Sequence, residues 1–158
     1  MIDSERHDRA GRRVTLRAVD EDNWRAVADV APRDDQRAWV APMGARYLLL
    51  SMHSEVWTSQ AVYADDAVVG HVVWGVEDDG SRWIGGMVVD AAEQGRGVGR
   101  AAVGTLTDWL SAQDGGSIVR LSYHPDNTAA AHLYTALGFT PTGATDDDEL
   151  IAEHHPRP

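Results

Sequence analysis

"EQGRGVGRAAV", residues 93–103, sets three glycines and two arginines within six positions and then runs straight into small and apolar residues. The residues before it, RWIGGMVVD (82–90), read as a strand. After Gly97 the period changes: Ala102, Val103, Leu106, Trp109 and Leu110 mark one face of a helix expected to end near Gly115 and Gly116. The glycine-rich loop therefore joins a strand to a helix. At such a junction the free amide N–H groups of the first helical turn converge on an anion, and glycine lets that anion approach the backbone. Arg96 and Arg100 add positive charge. A phosphate loop of the nucleotide-hydrolysing kind needs lysine and then Ser or Thr after its last glycine, but Gly99 is followed by Arg100 and Ala101. A dinucleotide fingerprint starting at Gly95 and Gly97 needs glycine at position 100, and no acidic residue ends the next strand. What remains is Q-x-x-G-x-G, Gln94 to Gly99, holding an anion, with the plainer alternative of a loop that needs its glycines only for the turn.

The rest of the chain supplies the frame. Residues 1–13 are polar and without period and are expected to be a flexible tail; VTLRAV (14–19) alternates as a strand does, and Asp20 to Asn23 supply capping residues for a short helix, WRAVADV, which Pro32 ends. From Asp34 to about Ser54 the apolar spacing predicts two short helices joined at Pro42 and Gly44. TSQAVYA, AVVGHVVWGVE and RWIGGMVVD, separated by the acidic turns at Asp65–Asp66 and 78–81, predict a three-strand antiparallel meander. SIVRLSY (117–123) is a strand. Asp126, Asn127 and Thr128 cap a helix that runs to about Leu137 and stops at Gly138, and FTPTGATDDDELIAEH forms a hairpin with an acidic turn. The order strand, helices, three strands, helix, strand, helix, hairpin implies an α+β or mixed α/β sheet protein, with one domain over 14–152 and a short C-terminal tail at 153–158.

At 158 residues and 43% hydrophobic content the chain has enough core for one domain. No run approaches a membrane span and the first residues lack the apolar stretch of a secretory signal, so a soluble, cytoplasmic protein is expected, without membrane contact. Cysteine is absent, which removes disulfides, thiolate metal sites and a cysteine nucleophile, and the histidines are too scattered to suggest a metal site. The net charge of −11 repels phosphate backbones, so nucleic acid is not expected as a partner, whereas cationic small molecules are attracted.

Two segments together resemble the GCN5-related N-acetyltransferase (GNAT) superfamily. "MVVDAAEQGRGVGRAAVGTL" is similar to its acetyl-coenzyme A binding segment, a strand followed by a short turn, Q/R-x-x-G-x-G/A and a helix. "NTAAAHLYTALGF", Asn127 to Phe139, is similar to its N-x-x-A-x-x-L-Y-x-x-x-G-F element one strand and one helix later. Less specifically, "QRAWVAP", "AVYADDAVVGHVVWG", "SYHP" and "GFTPTGA" resemble a bacterial diamine or polyamine acetyltransferase subgroup. That subgroup tends to carry an aromatic or polar residue and then arginine where this chain has Gly85 and Gly86, which raises the question of a reshaped acceptor site.

The resemblance implies a GNAT fold: a mostly antiparallel twisted sheet of six to seven strands flanked by about four helices, splayed between the strands ending near Val89 and Tyr123. It implies acetyl-coenzyme A as cosubstrate, without a metal, and direct attack of an amine on the thioester in a ternary complex. Backbone N–H groups from Gly95 through Arg96, Gly97, Val98 and Gly99 to Arg100 would hold the pyrophosphate, beside Gln94. The backbone of Met87, Val88 and Val89 would pair with the pantetheine arm, with an N–H near Val88 or Val89 stabilising the thioester oxygen. Asn127 would cap its helix and bind coenzyme A, and Tyr134 would protonate the departing thiolate as general acid. The base is unassigned: the strand before the loop holds no carboxylate, Ser122 stands where relatives place a later glutamate, and Glu77, Asp78, His71 and His124 are candidates beside a water chain. The expected acceptor is a small cationic amine, with a protein N-terminus or lysine as alternative. A non-catalytic acyl-coenzyme A binding module is the reading of another class, and a monomer or homodimer is expected.

Overall fold

The computed structural model describes residues 1–113 and 118–156. Runs in which every second residue is apolar become strands, because alternate side chains of an extended chain fall on opposite faces. The first is β1 (Val14–Ala18), and β2 (Trp57–Ala64), β3 (Ala67–Val76) and β4 (Arg82–Val89) form the meander. Asp65, in the turn between β2 and β3, takes φ 52°, a left-handed conformation that Asp tolerates better than most residues. With β5 (Val119–Tyr123), β6 (Thr140–Asp146) and β7 (Glu149–His154) they make one seven-stranded sheet in the order β1-β2-β3-β4-β5-β7-β6. All neighbours are antiparallel except β4 and β5. Parallel neighbours need a crossover, supplied here by α3 (Val98–Ser111).

Short helices α1 (Trp24–Asp29) and α2 (Gly44–Met52) pack on β2 and β3, while α3 packs on β1, β4 and β5. Leu106 and Leu110 of α3 are fully buried against Leu16 of β1 and Leu121 of β5, in the cluster that forms the larger core. Burial of each such side chain stabilises by about 1.5–3 kcal/mol, which anchors the helix that begins at the glycine loop. The two helices expected between Asp34 and Ser54 resolve into a three-residue 3-10 turn, Asp34–Gln36, and α2, with Pro42 in the loop between them. Asn23 precedes α1 as expected, but its side chain accepts from the Asp20 N–H and donates to the Ala18 carbonyl, bracing the turn after β1 rather than capping the helix. In α4 (Thr128–Ala136) the cap is as expected: Asn127 Oδ1 accepts from the Ala130 N–H at 3.2 Å, and Gly138 at φ 89° ends the run. Gly115 and Gly116, the expected end of α3, lie outside the described residues, as does Ser117.

Both ends of the described chain make contacts with the rest of the fold. Ile2 bridges Leu16 and so extends the sheet edge, and Ser4 bonds Thr105 of α3. Arg6 lies against Gly104, where a Cβ would meet its guanidinium at 2.7 Å, and pairs with Asp108. The buried carboxylate of Asp8 binds Arg12, which also pairs with Glu93. Polar residues without period read as tail because the partners of Ser4, Arg6 and Arg12 lie 81 to 102 positions away. At the other end β7 continues through Glu153 and His154, with Glu153 paired to Arg120.

Candidate active site

The site grows from a failure of pairing. β4 and β5 are in register only at Arg82, Trp83 and Ile84, opposite Val119, Arg120 and Leu121. Gly85 is the extra residue of a β-bulge against β3, where Val73 pairs with Gly86 and Trp74 with Ile84. Beyond the bulge β4 stays with β3, while β5 stays with β7 as far as Tyr123. The two strands part, β4 toward Val89 and β5 toward Tyr123, as the family resemblance implies. The Asp90 N–H points to β3, at Val69 O, and the Val89 carbonyl points the other way, accepting from Gln94 Nε2 at 3.0 Å. By strand alternation the N–H groups of Met87 and Val89 therefore face the gap, whereas that of Val88 faces β3.

The glycine loop closes one end of the gap. Gly95 (φ 75°) and Gly97 (φ 84°) are left-handed, the requirement that selects glycine. The first intrahelical bond of α3 runs from the Ala101 N–H to Gly97 O, so the N–H groups of Val98, Gly99 and Arg100 precede it and stay free of helical partners. The N-terminal segment fastens the loop from behind: the Arg9 N–H donates to Arg96 O at 2.7 Å, and the Arg9 guanidinium to Gly95 O at 3.1 Å. A cavity of about 350 Å³ runs from this loop to Tyr134. Of the residues nominated from sequence, Met87, Val88, Val89, Gln94, Gly95, Gly97, Val98 and Gly99 line it, and so do Asn127 and Tyr134. The side chains of Arg96 and Arg100 do not; Arg96 turns to Glu93 at 3.5 Å. Gln94 is a tie between elements, since its amide also reaches Gln36 Oε1 at 2.6 Å. Arg33 lines the cavity without a sequence signal, because a lone arginine in a loop carries no spacing.

A second cavity of about 70 Å³ continues past Tyr134 into the splay and shares Trp39, Met87 and Asn127 with the first. Glycines 85 and 86 shape its surroundings. A Cβ on Gly85 would lie 2.3 Å from the Trp57 ring and one on Gly86 2.6 Å from the Tyr47 ring, so each glycine makes room for an aromatic side chain. Tyr47, on α2, reaches across β4 and its hydroxyl accepts from the Ala41 N–H at 3.2 Å. Trp39 stacks on His124 at 4.7 Å between centroids, bridging from the loop before α2 to the end of β5. Desolvation, followed by the fields of Tyr47, Glu149 and Tyr123, pushes the Tyr134 hydroxyl up to about 12, so it holds its proton throughout the neutral range.

The candidate bases separate. Glu77 and Asp78 sit in the exposed β3–β4 turn and line neither cavity. Their neighbour Asp79 is committed to Ser81 and Arg120, which hold its carboxyl down to about 2. His71 is fully buried on the α1–α2 side, bonded to Ser59, and burial pushes it down to about 4. His124 and Ser122 line the smaller cavity. Beside them stands Glu149, whose carboxylate accepts from Ser122 Oγ at 2.5 Å. Glu149 was visible only as the last member of an acidic turn. Asp146, Asp147 and Asp148 of that turn are exposed, and the first residue of β7 alone points inward.

The chain belongs to the acetyltransferase (GNAT) family, whose model matches residues 13–139. No curated protein matches the sequence. Among solved structures it is similar to a domain from Methanocaldococcus jannaschii DSM 2661, at 16% identity and TM-score 0.75, covering 92% of this chain and 99% of that one. It is similar also to the aminoglycoside acetyltransferase AAC(6')-Ib in complex with coenzyme A, at 21% identity and TM-score 0.73, covering 90% and 94%. A third is the spermidine N-acetyltransferase from Vibrio cholerae in complex with coenzyme A and spermine, at 16% identity and TM-score 0.68, covering 89% and 92%. The fold is the GNAT fold and the chain is an acetyl-coenzyme A-dependent N-acetyltransferase.

Proposed function

We propose that this acetyltransferase acts on the primary amine of a small cationic, polyamine-like molecule, by direct attack within a ternary complex. The observation that carries the reading is that the two cavities meet at Tyr134, one beginning at a helix N-terminus suited to an anion and the other at a carboxylate suited to a cation. The free N–H groups of Val98, Gly99 and Arg100 hold the pyrophosphate. The gap-facing edge of Met87 and Val89 pairs with the pantetheine arm, and one of those N–H groups stabilises the developing oxyanion, a donor of a kind whose loss costs about 2.7–4 kcal/mol. Tyr134 supplies the proton that the leaving thiolate requires. The amine complexes of two structural neighbours, one an aminoglycoside acetyltransferase with kanamycin and the other the spermidine enzyme with spermine, support a small polycationic acceptor.

Calorimetry is expected to show acetyl-coenzyme A binding, and a thiol-release assay over polyamines, aminoglycosides, amino acids and peptides is expected to rank polyamines first. Preference for peptides would move the assignment to protein acetylation. Binding of the cosubstrate without turnover of any amine would leave an acyl-coenzyme A binding module.

A further inference from the structure

We infer that Glu149 receives the ammonium of the acceptor and takes the proton that frees its nitrogen for attack. The inference rests on the acetyltransferase reading above and adds the group that family-like positions in β4 and β5 do not supply. Glu149 is the one carboxylate that lines the smaller cavity among the described residues, and no Arg side chain lines it. A carboxylate there meets an incoming cation without competition from a resident one. Ser122, in β5, donates to Glu149 Oε2 and so orients the carboxylate from the adjacent strand. The register makes this possible: Ser122 lies opposite Ile151, two residues along β7 from Glu149, on the same face of the sheet.

The remaining lining suits an alkyl ammonium. Trp39, Tyr47 and Tyr123 offer aromatic surface to a cation. Glu149 and Tyr134 are electrostatically coupled, since the carboxylate helps to raise the tyrosine hydroxyl, so both proton-handling groups address one small space. A cavity of about 70 Å³ has room for roughly two waters, the scale of one CH2–NH3 group.

An ammonium that becomes an amide sheds two protons. Glu149 takes the first, freeing the lone pair that forms the C–N bond to the thioester carbon. The second leaves nitrogen as the C–S bond breaks and restores the proton that Tyr134 gives to the departing sulfur. In water the first transfer is uphill by about six pKa units, from an ammonium near ~10.4 to a carboxylate near ~4.3. Removing water from the ammonium disfavours its charge and narrows that gap.

The test uses the full chain, with Glu149→Gln keeping the size and an acceptor for Ser122, and with two nucleophiles: n-butylamine, an ammonium at neutral pH, and O-methylhydroxylamine, already neutral there. We expect kcat/KM for n-butylamine to fall about 100-fold or more, with O-methylhydroxylamine and acetyl-coenzyme A affinity changed less than about threefold. Glu149→Asp should recover part of the n-butylamine rate. An equal loss for both nucleophiles would mean a merely structural role, and no loss for either, or a wild type that binds the cosubstrate yet acetylates neither, would equally overturn the proposal. Failure to bind acetyl-coenzyme A at all would strike instead at the acetyltransferase reading beneath it.

Discussion

Tyr134 stands where the two cavities meet, which makes it the residue whose alteration reports most directly on chemistry. Tyr134→Phe keeps the ring that packs on Tyr123 and Phe139 and removes only the hydroxyl. We expect kcat to fall about 100-fold with the KM for acetyl-coenzyme A little changed; equal turnover would remove Tyr134 from the mechanism. Because its hydroxyl is raised to about 12, the pH–rate profile should show no falling alkaline limb below about pH 10, and a descent near neutrality would point to another acid. Tyr134 and Asn127 were legible because a family pattern carries them. Glu149 was not, since a carboxylate at the end of DDDE looks solvated until the β6–β7 hairpin fixes which way each residue of the turn faces.

At the scale of the element, β4 is informative because its glycines do unequal work. Gly85 is the bulge and Gly86 is the space into which the Tyr47 ring fits. Gly86→Ala is expected to destabilise by about 1–3 kcal/mol, the usual cost of overpacking, and to raise KM for the amine more than for acetyl-coenzyme A, because the displaced ring borders the smaller cavity. Denaturant unfolding beside steady-state kinetics checks both, and an unchanged amine KM would detach Tyr47 from the acceptor site. Strand positions followed from periodicity and the cap and end of α4 from Asn127 and Gly138, whereas the helical spacing at 34–54 gave one helix and a 3-10 turn and Asn23 does not cap α1. The departure of β5 from β4 came from the family resemblance alone, and the structure ties it to a bulge whose register no single strand reveals.

For the whole molecule, acid stability turns on a histidine buried in β3. His71 is held neutral by burial, at about 4, against an unfolded value near 6.5. The unfolded chain therefore binds the proton first as pH falls, and the stabilisation present above pH 6.5 is lost progressively down to about pH 4. Between pH 7 and pH 5 the protein should lose about 2 kcal/mol, read by urea unfolding. His71→Gln should show a smaller pH slope whatever its stability at pH 7, and equal slopes would assign the loss elsewhere. The carboxylates with depressed values, Asp8 among them, act only at lower pH. Local order was readable from the chain alone: the strand–loop–helix at 82–110, the capped helix from Asn127, and the exclusion of two other phosphate-binding loops, because these depend on near neighbours and on the left-handed freedom of Gly95 and Gly97. The fastening of residues 1–13 to α3 and the glycine loop and the inward turn of Glu149 were decided by tertiary packing. They depend on partners tens of residues away, and periodicity in sequence carries no record of distance in space.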